Sequence, residues 1–244
     1  VSTPVFLASG ELHAGRVCLD GDEGRHAARV RRLAPGERVD LTDGAGTLAE
    51  CVVAEVVSNG LELDVLQLRR VAAPTPRIVV VQALAKGERG ELAVETMTEV
   101  GVDAIVPWRA ARSIARWEGD RTAKALERWR STAREAAKQA RRAWLPEVTE
   151  PASTARVCEL LRECSLAVVL HEDAEQSLAT VEVPNQGDVV VVVGPEGGIS
   201  PEELAAFTDA GARPYLLGPT VLRTSTAGAV GAAVLLSRSG RWTT

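Results

Sequence analysis

Residues 188–204 read DVVVVVGPEGGISPEEL. Five valines run into Gly194-Pro195-Glu196-Gly197-Gly198, and Ser200-Pro201-Glu202-Glu203 then has the Ser-x-x-Glu spacing of a helix capping box. Two other apolar runs end in comparable residues, VVLHE at 168–172 and YLLGPTVLRTSTAG at 215–228. Ligands of open α/β sheets sit outside the carboxyl ends of the strands. Glycine at such an end allows positive φ and close backbone approach, so a flat ligand can be held by main-chain groups. The loop GPEGGIS lacks both the G-x-G-x-x-G and the G-x-x-x-x-G-K-[ST] pattern, and Glu196 would repel a pyrophosphate. A carboxylate there, with Glu172 on another strand end, suits a neutral or cationic ligand better. A dinucleotide-dependent oxidoreductase is therefore the weaker reading. A tight strand–helix turn capped by Ser200 would explain this one loop, but not three loops rich in glycine or hydroxyl groups.

The elements that must position these loops follow from patterning. VAAPTPR (71–77) separates two regions. Before it, RVCLD, RVDLTDGAG, LAECVVAEVV and LELDVLQL alternate with period two and are broken by Asp-Gly at 43–44 and Asn-Gly at 59–60. That predicts a small antiparallel β domain, in which GDEGRHAARVRRL can form a short helix. After it, IVVVQAL (78–84), AIVPW (104–108), LAVVL (166–170), VVVVV (189–193) and PYLLG (214–218) read as strands. Helices are expected over 90–101, 120–143, 201–210 and 227–237. The second has Leu126, Trp129, Ala133, Ala136 or Ala137, and Ala140 at helical spacing. Uninterrupted apolar strands are strands covered on both faces, as in a parallel sheet.

Composition bounds the remaining choices. The 244 residues are 45% hydrophobic and 25% charged, so a sizeable core can form, but only 3% are aromatic and the core must rest on Val, Leu and Ala. No apolar run is long enough to span a bilayer. The opening VSTPVFLASGEL lacks the basic and long apolar regions of a secretion signal. Cys18, Cys51, Cys158 and Cys164 have no C-x-x-C spacing, and the three histidines are isolated. A reduced, cytoplasmic protein without a metal site or membrane partner is expected. The net charge is −5, yet residues 25–38 carry five arginines against one glutamate, and 109–142 carry eleven Lys/Arg against four Asp/Glu. Separated fields of opposite sign admit a polyanionic partner. Solvated helix faces are the plainer alternative.

GPEGGIS-x-E-E, followed about twenty residues later by LG-x-x-VLRTSTA, resembles the signature of the RsmE-type methyltransferases of the SPOUT superfamily. HAARVRRLAPGE…DGAG (26–46), KGERGELAVETMTEVGVDAIVP (86–107) and AAKQARRAWLPEV (136–148) extend the resemblance over most of the chain. It implies an α/β fold with a C-terminal trefoil-knotted SPOUT methyltransferase domain built on a parallel sheet (73–244), preceded by a small PUA-like RNA-binding β-barrel domain (1–72). It implies S-adenosylmethionine as donor, N3 of a uridine in small-subunit (16S) ribosomal RNA as acceptor, and a homodimer. The donor would be held by Leu170, His171 and Glu172, by Gly194, Pro195, Glu196, Gly197 and Gly198, and by Leu217, Gly218, Leu222, Thr224, Ser225, Thr226 and Ala227. Arg223 is the expected catalytic residue, stabilising charge that develops on the acceptor. Arg25, Arg29, Arg31 and Arg32, and, in the larger domain, Lys86, Arg112, Gln139, Arg141 and Arg142, are the expected RNA contacts. The family commonly has glutamates where this chain has Ser225 and Lys138, and frequently a lysine at Thr96. A SPOUT enzyme acting on a ribose 2′-hydroxyl, or a non-catalytic RNA-binding module that keeps the fold, are the alternatives.

Overall fold

The computed structural model describes residues 3–242. The chain divides into two compact units. One runs to Ala73 and takes in Ala137–Leu145; the other holds Pro74–Ala136 and the chain from Pro146.

The first unit contains β1 (Val5–Leu7), β2 (Gly15–Leu19), α1 (Gly21–Arg25), β3 (Arg38–Thr42), β4 (Thr47–Val57) and β5 (Gly60–Arg70). A π turn over His26–Val30 continues α1. The strands form one sheet in the order β1-β3-β4-β5-β2. The pairs β3–β4, β4–β5 and β2–β5 are antiparallel, as alternation suggested, whereas β1 runs parallel to β3. Three residues of β1 carry too little pattern to reveal that pairing. Ala49, Cys51 and Val53 of β4 face a core that includes Phe6, Leu19, Val39, Leu41, Leu61 and Leu63. Burial there pushes the Cys51 thiol up to about 12, which makes it a core hydrophobe rather than a nucleophile.

The Asp-Gly-Ala-Gly turn is held by its own aspartate. Asp43 Oδ1 accepts from the amides of Ala45 and Thr47, both at 2.8 Å. Gly44 and Gly46 take φ of 70° and 103°. The segment 143–145 docks on this turn: Gly46 N donates to Ala143 O (2.9 Å), Leu145 N to Gly44 O (2.9 Å), and Trp144 Nε1 to Val71 O (3.1 Å). These bonds explain why Ala137–Leu145 groups with the first unit. They also explain why α3 (Asp120–Gln139) stops short of residue 143. Arg141 adopts a left-handed φ of 55°, and Arg142 N turns back to Ala137 O at 2.9 Å.

The second unit is a six-stranded sheet. After β6 (Arg77–Ala83) come α2 (Arg89–Val100), β7 (Ala104–Trp108), α3, β8 (Glu147–Val148), α4 (Thr154–Glu163) and β9 (Leu166–Leu170). They are followed by β10 (Asp188–Val193), α5 (Pro201–Asp209), β11 (Arg213–Tyr215) and α6 (Thr224–Arg238). The order is β11-β9-β10-β6-β7-β8, with every pair parallel. Val189, Val191 and Val193 pack into a core with α2, α3 and α6, while Val190 and Val192 pack into a second core with α4 and α5. Each buried valine contributes about 1.5–3 kcal/mol. The all-valine run is thus the signature of a central strand. Sequence reading did not mark α4, although Ser153 caps it. The polypeptide after β11 runs beside the one after β9: Leu216 N donates to Gln176 O (2.8 Å) and Leu178 N to Leu216 O (2.9 Å). No described helix is long and apolar enough to cross a membrane.

Asp43 supplies a pH test. Burial alone would raise its pKa, but the hydrogen bonds from Thr47 and Ala45 outweigh that and hold it below the usual 3.8. A depressed carboxylate stabilises the fold fully above its unfolded pKa and loses that contribution as pH falls through the folded value. Asp43→Asn should therefore flatten the acid side of the stability profile below about pH 5, measured by thermal unfolding of the full chain between neutral and acid pH. An unchanged profile would remove Asp43 from this role.

Candidate active site

All sheet strands of the second unit point the same way, so their carboxyl ends share one edge. The segments that follow β9, β10 and β11 line a single cleft of about 790 Å³, within the ~300–1,000 Å³ usual for small-molecule sites. Leu170, His171, Glu172 and Asp173 come from the first, Val193–Ile199 from the second, and Leu216–Thr224 with Ala227 from the third.

The middle loop is fixed by its neighbours. Ser200 Oγ accepts from Glu203 N, and Glu203 Oε2 accepts from Ser200 N, both at 3.2 Å, which completes the capping box. The other Glu203 oxygen accepts from Ala111 N (2.8 Å) and Thr154 Oγ1 (3.1 Å). Gly198 takes φ 73°, where a side chain would be strained. Glu196 Oε1 accepts from Lys86 N at 3.1 Å and lies 4.0 Å from Arg89 Nη1. Arg112 Nη1 donates to Gly197 O at 3.4 Å.

The third loop offers main-chain donors. Among the described residues no group accepts from the amides of Leu217, Gly218 or Leu222. A Cβ at Gly218 would meet nothing within 4 Å, so the space beside it is open. These amides are free to donate to a ligand in the cleft. Half-buried Leu170, Leu217 and Leu222 add apolar walls. On the β9 side, His171 Nδ1 accepts from Asp173 N at 3.2 Å.

Thirteen of the fifteen residues expected to hold a donor therefore line one cleft. The other two do not. Ser225 is buried in the first turn of α6, and Thr226 Oγ1 is spent on Arg223 O at 3.2 Å. Arg223 lines the cleft as the N-cap residue of α6. Its guanidinium has no partner among the described residues, whereas Arg89 and Arg112 each have one. Arg89 and Asp173 were not read from the sequence as cleft residues. The strand order would have exposed Arg89, because β6 adjoins β10 and so presents its following loop to the cleft. The described residues include no cluster of metal-ligating side chains.

The expected RNA contacts fall into two groups. Arg25, Arg29, Arg31 and Arg32 belong to the first unit, and so do Gln139, Arg141 and Arg142, which sequence reading had assigned to the larger domain. The left-handed turn at Arg141 and the docking of Trp144 account for that placement. Arg25 is bonded to Asp22 and Asn59, and Arg141 Nη2 donates to Thr3 O at 2.9 Å. Arg29, Arg31 and Arg32 are exposed. Lys86 and Arg112 lie in the second unit.

Comparison with known proteins bears on this geometry. Residues 72–236 match the model of an RNA methyltransferase domain, and residues 19–66 match that of an RNA methyltransferase PUA domain. The ribosomal RNA small subunit methyltransferase E of Mycobacterium bovis is 49% identical over 92% of this chain and 87% of its own length. The chain belongs to the ribosomal RNA small subunit methyltransferase E family. A Bacillus subtilis member of the family is 27% identical over 86% of this chain and 85% of its own. The structure of the Neisseria gonorrhoeae member bound to S-adenosyl methionine superposes with a TM-score of 0.85 at 27% identity, covering 97% of this chain and 98% of that one. The expected fold class, an α/β methyltransferase with a parallel sheet and an N-terminal PUA-like domain, is thereby met.

Glu196 ties the β10 loop to the loop after β6 through one hydrogen bond and one looser ion contact. Glu196→Ala should cost about 1 kcal/mol and speed amide exchange at Lys86 about tenfold or more, read by hydrogen–deuterium exchange. Unchanged exchange at Lys86 would show that the loops are held otherwise.

Proposed function

We propose that this chain transfers a methyl group from S-adenosylmethionine to N3 of a uridine in small-subunit ribosomal RNA. The observation that carries the reading is the cleft itself, three adjoining strand-end loops with unpartnered amides at Leu217, Gly218 and Leu222, in a member of this family. These residues fit a nucleoside with a cationic aliphatic arm. Main-chain donors and the open face of Gly218 suit a flat base and its ribose, and the leucines suit apolar faces. Glu172 and Asp173 put negative charge on the rim. The donor, when bound, would supply a methyl carbon made electrophilic by the adjoining sulfonium.

Methyl transfer is an in-line displacement, so the loops act first by alignment. Leu217, Gly218 and Leu222 orient the donor, while the apolar walls exclude water. Uridine N3 gives up its proton to solvent, which spreads negative charge onto O2 and O4, and the nitrogen then bonds the methyl carbon as that carbon's bond to sulfur breaks. Arg223, unpaired at the cleft wall, donates to that charge and stabilises it. The exposed arginines of the first unit, with Lys86 and Arg112, bind phosphates; such contacts position RNA without reading its bases. The acceptor uridine is unpaired and extruded, because N3 is occupied in a base pair.

The reading extends to the whole molecule. The PUA-like part, near residues 1–72, captures RNA, and residues 73–244 carry the chemistry. The hydrogen bonds between Leu216 and residues 176–178 support a chain threaded as a trefoil knot. The protein works as a homodimer in the cytoplasm, where ribosomal subunits are assembled.

Two measurements test the proposal. Calorimetric titration of the full chain with S-adenosylmethionine and with NAD should give binding to the first alone. Small-subunit RNA incubated with labelled donor should gain a methyl at a uridine base. Arg223→Ala should lower kcat by about 10²-fold or more while changing donor affinity less than about threefold; equal losses would make Arg223 a binding residue. Donor binding without label transfer would favour a non-catalytic RNA-binding module, and label on a ribose would move the acceptor to a 2′-hydroxyl.

A further inference from the structure

An amide interrupts an apolar face of the second unit's sheet. Ile78 and Val80 of β6 lie in the core beside α2, α3 and α6, and alternation puts Gln82 next on that face. Gln82 is fully buried. It pairs with Val193 of β10 and Pro107 of β7, level with the last strand residue before the cleft loop at Gly194.

The side chain is only half satisfied. Nε2 donates to Thr224 O at 3.3 Å and to Ala83 O at 3.2 Å, whereas Oε1 is buried with no partner among the described residues. Two carbonyls at one end of the amide fix that end as nitrogen, so the orphaned oxygen is a consequence of the bond to Thr224. Helix α6 leaves room for it: a Cβ at Gly228 would stand 3.2 Å from Oε1 and 2.7 Å from Met97 Sδ. An acceptor left unpaired in a core opposes folding, and an aliphatic side chain would fill the space without that penalty. Packing therefore does not account for the amide, and the bond to Thr224 does.

That bond reaches the wall of the cleft. Arg223 is the N-cap residue of α6 and Thr224 its first residue, and both line the cleft with Ala227. Residues 217–223 belong to no helix or strand, and Val221 among them is 77% exposed. Among the described residues, the Gln82 bond is the only hydrogen bond from 217–228 to another part of the chain. The bonds that Thr226 and Ala227 make to Arg223 O stay within the segment.

We propose that Gln82 is a positioning residue for methyl transfer: it ties the amino end of α6 to the sheet and so aims Arg223. The inference rests on the methyltransferase reading above. Gln82 does not line the cleft and acts through Arg223 alone. A shift of the backbone at Thr224 carries Arg223 with it, and a misplacement of about 1 Å can lower a rate about 10²-fold.

Gln82→Met removes the donor and keeps the volume. With the full chain, small-subunit ribosomal RNA and labelled donor, it should lower kcat about tenfold or more, with the KM for RNA and the donor affinity within about threefold of the unaltered chain. Its melting temperature should not fall, because the orphaned oxygen leaves with the amide. Hydrogen–deuterium exchange at the Thr226 and Ala227 amides should quicken about fivefold or more. In an Arg223→Ala background the same substitution should change kcat less than about twofold. Additive losses would overturn the positioning role, and so would faster exchange with an unchanged kcat. Gln82→Leu, which crowds Met97 less, repeats the comparison. Failure of both variants to fold, or melting of both well below the unaltered chain, would make Gln82 a structural residue and end the proposal. If the unaltered chain transfers no methyl, or Arg223→Ala leaves kcat unchanged, the underlying reading fails and the role of Gln82 with it.

Discussion

Five valines in succession have no polarity pattern to set the register of β10, because a slip of one residue would exchange valine for valine on both faces. Polar groups at the two ends set it instead. At the amino end Arg77 Nη1 lies 3.6 Å from Asp188 Oδ2 while its Nη2 reaches Glu147 Oε2 at 2.7 Å, and Ser165 N donates to Asp188 O at 2.9 Å. At the carboxyl end Glu203 is the fixed point. It caps its own helix and also receives Ala111 N and Thr154 Oγ1, so α5, α4 and the loop after β7 meet on one carboxylate. Glu203 is 6% exposed, and a buried carboxylate is tolerable only with this many donors. The apolar middle supplies the driving force; the two polar ends decide where the glycines stop.

That register decides the chemistry of the cleft. With β10 fixed between β9 and β6, the turn at Gly194–Gly198 sits between an acid-bearing loop and an arginine-bearing one. Glu196 joins the two sides. Its carboxylate is satisfied by a backbone amide and a guanidinium of the β6 side, so the acidic side chain of a glycine loop acts inside the protein as a tie.

Much of this was legible because it depends on local rules. The capping box at Ser200, the glycine that closes α2 at Gly101 (φ 114°) and the doubly covered strands each follow from a few neighbouring residues. The three strand-end loops could be named from their glycines, and they do line one cleft. What escaped depends on distant partners. The parallel pairing of β1 with β3 is a tertiary choice by a short strand. The end of α3 is set by a left-handed arginine and by Trp144 docking on a turn roughly a hundred residues earlier in the chain, which helical periodicity cannot register. The resemblance of LRTSTA to the RsmE-type motif put Ser225 and Thr226 among the expected donor contacts, and the helix was expected to begin only at residue 227. With α6 starting at Thr224, Ser225 is buried and the Thr226 hydroxyl donates to Arg223 O.

The same geometry bears on the two positions where the RsmE-type pattern commonly has glutamate. Lys138 is 8% exposed and its ammonium lies 2.6 Å from Glu23, whose other oxygen accepts from Leu7 N at 3.2 Å. A buried ammonium needs a carboxylate close by, and a glutamate at 138 facing Glu23 would place two like charges together. The lysine is therefore matched to its surroundings within the first unit. Ser225 is 3% exposed, behind the wall that Thr224 and Ala227 present to the cleft. A carboxylate there would have to be desolvated or displace that wall, while serine asks for neither. Both departures thus fall on packing, and the groups that face the cleft, Arg223 with the amides of Leu217, Gly218 and Leu222, are untouched by them.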